Sequence, residues 1–371
     1  MDLGVFQRTN SFGKLSGICA KYGVQVNAVP VDKVFALYQK TGFLYPGKAA
    51  RLRPHWARIS ENWRRMMHGD NSLLSVLTAG DESHGYASLA VWRTTLGGCV
   101  LQHLVSENNP LASRAVMLAC GAASIYNIAE ESAQNWFRPE NRFPARVFGS
   151  MVQSVGDDAS CVQRYSYFAF PRRLSILKPE SISVVPYDPS QREALCSLAA
   201  AERGAVYVAG EDLCGDVNCE LIDELYQRVG LRRQRQVWLA YRKNNAQPIG
   251  AAIAYRGPLG INFSYLENRC DLLISKSVPL ADVTDVVSSL LHASSAAYGD
   301  FELDDIPVIA DENAVYALMK VGAQFLRHYC QGTCLRDGYS KFFGHIDGFY
   351  SKLLARNEKQ STHAAVVGAQ L

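Results

Sequence analysis

A chain of 371 residues exceeds what one hydrophobic core usually organises, so two domains are expected. Its composition, 48% hydrophobic and 20% charged, is that of an ordinary globular protein and excludes a disordered or fibrous chain. A formal net charge of +3 gives no reason to expect nucleic acid or an anionic membrane as the main partner, and no run approaches the roughly 18 apolar residues of a membrane span. The start, MDLGVFQRTNS, has no apolar core of signal-peptide length and the end, VVGAQL, no prenylation cysteine, so a cytoplasmic protein is expected.

Residues 1–23 read as an extension with little order. The first strand ends in the turn of VNAVPVD, Val26–Asp32, since proline cannot continue a central ladder and aspartate caps the next helix. Val34, Leu37 and Tyr38 then recur at helical spacing. The basic stretch RLRPHWARISENWRR, Arg51–Arg65, reads as a helix with Trp56, Ile59 and Trp63 inward and its arginines solvated. Arginines among aromatics could also grip phosphate and stack on bases. Two alternating strands flank AGDESHG, and a third, Gly98–Ser106, leads to Pro110-Leu111-Ala112. Proline costs nothing at a helix start, and Leu111, Ala115, Leu118, Ala119 and Ala122 carry the helix on. A strand, a helix ending at Gly156 and the segment CVQRYSYFAF close the unit.

The same order then repeats. ISVVPYD, Ile182–Asp188, echoes VNAVPVD, and QVWLAYRKNNAQPIGAAIAYR from Gln236 echoes the strands from Ser72. Pro279-Leu280-Ala281 follows a strand expected over Asn262–Ser275 and opens a helix with the stripe Val283, Val286, Val287, Leu290 and Leu291. A strand is expected over FELDDIPVIA, Phe301–Ala310, with Glu302 and Asp304 on one face, then a helix ending at Gly322 and AQFLRHYCQGTCL. The segment from Gly338 reads as a helical tail, and the last residues, from Glu358, as poorly ordered. The chain is a divergent tandem duplication, divided as 1–23, 24–172, 181–335 and 336–371.

This order of elements resembles the GNAT acyltransferase superfamily over about residues 24–170 and 181–335. DENAVYALMKVGAQF at Asp311–Phe325 is similar to that family's late helix and its exit into a strand, and RPENRFPARVFGSMVQSVG at Arg138–Gly156 is a longer counterpart. The resemblance implies a mixed α/β fold: two tandem GNAT-like units, each a mostly antiparallel sheet flanked by helices. It further implies an acyl-CoA-dependent N-acyltransferase, with acetyl-CoA or a longer acyl-CoA as donor. That donor would lie between the fourth and fifth strands, its pyrophosphate on amides at the next helix's N-terminus, where free N–H groups and the macrodipole converge. The two Pro-Leu-Ala segments occupy that corner.

The family's glycine-rich stretch is absent from both copies. The first keeps Asn108, Asn109, Ser113 and Arg114; the second places Asp282 in the first turn, where a carboxylate satisfies amides and repels phosphate. The first copy is therefore the expected donor site, formed by Asn108, Asn109, Leu111, Ala112, Ser113 and Arg114 with Asn141. Glu107, Glu267 and Asp304 are the candidate bases, each also explicable as a solvated carboxylate. The family's late-helix tyrosine is replaced by Val152 and Leu318, and Tyr316 lies on another side of its helix.

A small-molecule or peptide amine is the expected acceptor. Two other readings stay open: a Fem-type transferase taking aminoacyl-tRNA, and a GNAT-like binding module without chemistry. The ten cysteines suit reduced core thiols better than a disulfide framework. Cys214, Cys219, His328, Cys330 and Cys334 have irregular spacing for zinc, and no metal is expected.

Overall fold

The computed structural model describes residues 11–68, 73–126, 131–174, 176, 179–243 and 245–368. In chain order the first half runs α1 (Ser11–Ala20), β1 (Gln25–Val26), α2 (Val31–Lys40), α3 (Pro46–Leu52), α4 (Trp56–His68), β2 (Leu74–Asp81), β3 (Gly85–Arg93), β4 (Gly98–Ser106), α5 (Pro110–Tyr126), β5 (Ser132–Phe137), α6 (Arg142–Val147), α7 (Met151–Val155) and β6 (Ser160–Pro171). The second runs β7 (Ile182–Pro186), α8 (Arg192–Arg203), α9 (Ala205–Gly210), α10 (Glu220–Arg228), β8 (Gln234–Arg242), β9 (Gly250–Arg256), β10 (Cys270–Ile274), α11 (Leu280–Ser294), β11 (Asp305–Ala310), α12 (Val315–Lys320), β12 (Gln324–Leu335) and α13 (Tyr339–Gly368).

All twelve strands form one mixed, mostly antiparallel sheet in the order β1-β2-β3-β4-β5-β12-β6-β11-β10-β9-β8-β7. That order reads alike from both ends once the last strands are exchanged. β12 pairs with β5 of the first half, β6 pairs with β11 of the second, and β6 and β12 pair antiparallel at the centre. The closing segments CVQRYSYFAF and AQFLRHYCQGTCL are each part of one long strand, and each strand completes the other half. A lone half would leave an edge strand without its partner, so exchange satisfies the ladder.

Side-chain alternation divides the first half's core between two faces. Val76, Trp92, Val100 and Trp136 pack with Val34, Phe35, Tyr38 and Trp63 of α2 and α4. Leu77, Leu89, Leu101 and Phe137 point the other way, against Val116 and Cys120 of α5 and Phe342, Phe343 and Ile346 of α13. The helices form where the pattern demands: α2 buries Val31, Val34, Phe35 and Tyr38, and Thr41 Oγ1 donates to the Leu37 carbonyl just past its end. In the second half α11 buries the expected stripe from Val283 to Leu291 on one face, while α8 and α9 bury Leu195, Leu198 and Tyr207 on the other.

Each half reaches into the other. Trp63 Nε1 and Asn62 Nδ2 donate to the carbonyls of Gly260 and Leu259, and Tyr226 of α10 donates to the Arg93 carbonyl. Gly260 has φ +74°, and a Cβ there would overlap the Ile59 side chain, so glycine alone permits the approach. Glu211 sits at the seam. Its carboxylate accepts from Arg269, Gln331 of β12 and Tyr255, and from Gln134 of β5. Burial would push this carboxyl up, but Arg269, Gln331 and Arg235 outweigh it and hold it at about 2.

Several expectations need correction. Residues 11–20 are helical and bury Cys19, because α1 packs on α5 and β1, and α13 continues to Gly368 rather than ending near Asn357. β10 is shorter than the segment Asn262–Ser275, which begins with a left-handed residue at Tyr265 and a 3-10 turn at Leu266–Asn268. Glu302 and Asp304 precede β11 rather than sharing a strand face. Cys196 and Cys214 form a disulfide, with Cα atoms 6.1 Å apart. The other eight cysteines form no disulfide, and among the described residues no three His, Cys, Asp or Glu gather as metal ligands. Nor is any helix among them long and apolar enough to cross a membrane.

Candidate active site

β4 and β5 run parallel for three residues, Gly98–Val100 against Ser132–Gln134, and then part. Beyond the split, Gln102 ties them by its side chain, Nε2 donating to the Trp136 carbonyl at 2.7 Å and Oε1 accepting from the Trp136 amide at 3.3 Å. At His103 the backbone turns left-handed, φ 57°, and the register between β3 and β4 slips between Ser88 and Ala90. This is a β-bulge, a device that re-aims a strand's side chains and backbone beside binding sites. The split strands open a cleft of about 740 Å³ that passes through the sheet.

On the α5 face the cleft is walled by Leu101, Phe137, Phe143, Phe148, Tyr350 and Leu353, with Asn108, Pro110 and Ser113 at its mouth. Ser113 Oγ and Tyr350 Oη lie 2.6 Å apart, so α13 is fastened to the start of α5. Gly121 allows this packing, because a Cβ there would overlap the Phe343 ring.

On the opposite face the lining includes Phe43, Tyr45, Lys48, His103, Trp136, Arg138, Phe263, Arg327 and Tyr329. The rings of His103, Trp63 and Phe263 lie nearly parallel in one cluster, with centroids 5.6 Å from His103 to Trp63, 4.7 Å from His103 to Phe263 and 5.7 Å from Trp63 to Phe263. Burial, and secondarily Lys48, hold its imidazole well below the usual range, so it is neutral. Lys48 Nζ sits 4.2 Å from the Phe43 centroid, and Arg327 Nη1 lies 3.4 Å from Tyr45 Oη. Burial first, then Arg138, Arg51 and Arg327, push Lys48 down to about 8.

The residues singled out for the donor divide. Asn108, Ser113 and Asn141 line the cleft; Asn109, Leu111, Ala112 and Arg114 stand beside it. Asn109 caps α5 itself, its Oδ1 accepting from the Ala112 amide and its carbonyl from the Ser113 amide. Arg114 is paired with Asp347 of α13 at 2.7 Å, and Leu111 is exposed. Asn141 Oδ1 accepts from Arg138 Nη2.

None of the three candidate bases lines the cleft. Glu107 accepts from the Tyr86 amide and pairs with Lys40 at 2.6 Å, and Lys40, then the Tyr86 amide, hold it below the usual carboxylate range. Glu267 is buried against Arg233 at 2.8 Å, and Asp304 is exposed before β11. The arginines of α4 are likewise engaged: Arg58 pairs with Glu302, Arg64 with Asp32, and Arg65 with Glu61. What the sequence reading missed is the cation group Lys48, Arg138 and Arg327. These residues lie in α3, just past the end of β5 and in β12, and no spacing links them.

In the second half the corresponding strands β10 and β11 pair over Cys270–Leu272 and Val308–Ala310 and also part. Here the protein's own side chains take the freed groups. The Arg203 guanidinium donates to the Leu272 carbonyl at 3.1 Å and pairs with Asp271 and Asp311, and Asn313 Nδ2 donates to the Ile274 carbonyl. Asp282 turns to Arg242 at 2.5 Å and makes no cap bond to α11, contrary to the expectation for a first-turn carboxylate. β9 and β10 keep unbroken register.

No family model and no curated protein matches this sequence. Among solved structures, it is similar to a tandem GNAT protein from the clavulanic acid biosynthesis pathway, 9% identical with a TM-score of 0.39, over 75% of this chain and 88% of that one. It is also similar to a GCN5-related N-acetyltransferase from Sphaerobacter thermophilus, 10% identical with a TM-score of 0.41, over 75% and 85%. A Drosophila protein is 11% identical with a TM-score of 0.43, over 83% and 96%.

Proposed function

We propose that the first-half cleft transfers an acyl group from acyl-CoA to an amine. The observation that carries this reading is the passage itself: a split parallel pair opens the sheet from the α5 face to the α3 face, so donor and acceptor can enter from opposite sides and meet at the bulge. On the donor side the apolar wall suits a pantetheine arm. Asn108 and the Leu111 amide, together with the exposed Arg142 and Arg146 of α6, are the groups available to phosphates.

The reaction forms an N–C bond and breaks the thioester C–S bond, and the thiol leaves with the proton that balances the charge. The nucleophile must be a free amine. Lys48, Arg138 and Arg327 surround the acceptor end with positive charge and no carboxylate. That field lowers the pKa of an entering ammonium and releases its proton to water without a dedicated base. A second reading, that the cleft binds its ligand without turning it over, is favoured by the engagement of Glu107 and Glu267 elsewhere.

Calorimetry with CoA and acetyl-CoA tests the donor site. Asn108→Asp, which puts a carboxylate at the α5 mouth, is expected to weaken CoA about tenfold or more through like-charge repulsion. Absence of heat for either ligand, with no acylated product by mass spectrometry across a panel of amines, would overturn the acyltransferase reading.

A further inference from the structure

The acceptor end of the cleft is chemically lopsided. Its lining holds Lys48, Arg138 and Arg327 and not one aspartate or glutamate, in a chain whose basic and acidic residues otherwise nearly balance, 38 against 35. Arg51 of α3 adds a fourth positive charge close enough to act on Lys48 and Tyr45. Other buried arginines are satisfied within the fold: Arg203, Arg233 and Arg269 each face a buried carboxylate, and Arg235 donates to four backbone carbonyls. Among the described residues, no carboxylate stands within ion-pair distance of Lys48, Arg51 or Arg327, and Arg138 reaches only the exposed Glu140, at 4.0 Å.

Holding like charges together in a half-buried pocket is unfavourable unless a counter-charge arrives. The groups are also built in. Lys48 lies over the Phe43 ring, Arg327 is hydrogen-bonded to Tyr45, and Arg138 is held by Asn141. Tyr329 Oη donates to Ser264 Oγ at 2.8 Å, which ties the loop of the second half to β12 beside them. Two planar guanidiniums and one ammonium suit a carboxylate or phosphate.

We infer that the acceptor is a small amine that also carries an anionic group, and that Lys48, Arg138 and Arg327 hold that group while the amine faces the split strands. This rests on the acyl-transfer reading for the role of the amine, and on the cation group alone for the anion. The site lies on the α3 side of the sheet, across from α5, so it is distinct from the mouth assigned to the donor's phosphates.

The test uses the full chain. Transfer from acetyl-CoA to amino acids, to their methyl esters and to O-phosphoethanolamine is followed by mass spectrometry, and CoA affinity is measured separately by calorimetry. The acids or the phosphoamine should exceed the esters about tenfold or more in kcat/KM, and which of them does so distinguishes carboxylate from phosphate. Arg138→Met and Arg327→Met should raise KM for that acceptor about tenfold while CoA affinity changes less than about twofold, and Arg327→Lys should recover part of the loss. Esters as good as acids overturn the inference, and so do variants that weaken CoA and spare the acceptor.

A readout independent of turnover is the rate at which an amine-directed acylating reagent modifies Lys48, mapped by peptide mass spectrometry. Millimolar amino acid or inorganic phosphate should slow it severalfold. No protection by any small anion, or protection by tRNA alone, overturns the inference. Protection without any CoA binding removes the acyl-transfer reading and leaves the anion site standing.

Discussion

In the first half β4 and β5 part after Val100 and Gln134 and leave a cleft, whereas in the second β10 and β11 part after Leu272 and Ala310 and Arg203 and Asn313 bond the carbonyls of Leu272 and Ile274. The topology is common to both, so it does not decide which corner is open. A few residues do. The first half has a bulge at His103 and a small bridge at Gln102; the second has unbroken register, the Arg203 guanidinium and Asn313. A duplicated unit can thus keep one corner open and brace the other with hydrogen bonds.

The largest expected effect comes from breaking that brace. Arg203→Ala leaves Asp271 buried without its partner and should cost about 3–5 kcal/mol, read as a lower urea midpoint. A loss under about 1 kcal/mol would show that water replaces the guanidinium and that the second corner is not braced by it.

Next is the seam between the halves. Glu211 is held at about 2 against an ordinary 4.5, so its contribution is fully present above pH 4.5 and is lost as pH falls toward 2. The amount is on the order of 3 kcal/mol. About 2 kcal/mol of it should be lost between pH 5 and pH 3 in denaturant unfolding, and Glu211→Gln should be less stable at pH 5 with a flatter acid limb.

Gly121→Ala sharpens the comparison from the open side. The added methyl meets Phe343, so α13 must shift, at about 1–3 kcal/mol in thermal or denaturant unfolding. The smallest effect belongs to Asp282→Asn in the second half. Its pair with Arg242 is 40–46% exposed and should change stability by no more than about 0.5 kcal/mol. A larger loss there would mean that the α11 corner depends on that charge.

Much of the architecture was legible locally. The stripe Val283–Leu291, the VP-x-D turns and the two Pro-Leu-Ala starts all fall where the elements begin or pack, because periodicity and turn chemistry are properties of neighbouring residues. The exchange of β6 and β12 was not legible, since either strand could complete either half by pattern alone. Asp282 shows the same limit. Its position predicts a helix cap, yet Arg242, forty residues earlier in sequence, takes the carboxylate.

The candidate site was half legible. Asn108, Ser113 and Asn141 were found from the order of elements, and the cleft lies there. Glu107, Glu267 and Asp304 do not line it, since Lys40 and Arg233 engage the first two and Asp304 is exposed before β11.

By itself the sequence determined that two similar units exist, where their helices start, and which corner lacks an acidic first turn. The tertiary structure alone decided that the halves share one sheet, that Arg203 joins Asp271, Leu272 and Asp311 at the second corner, and that Lys48, Arg138 and Arg327 line the cleft at the first. The reason is distance along the chain: propensity and periodicity act over a few residues, while charge convergence and strand exchange join segments up to hundreds of residues apart, whose meeting no local pattern encodes.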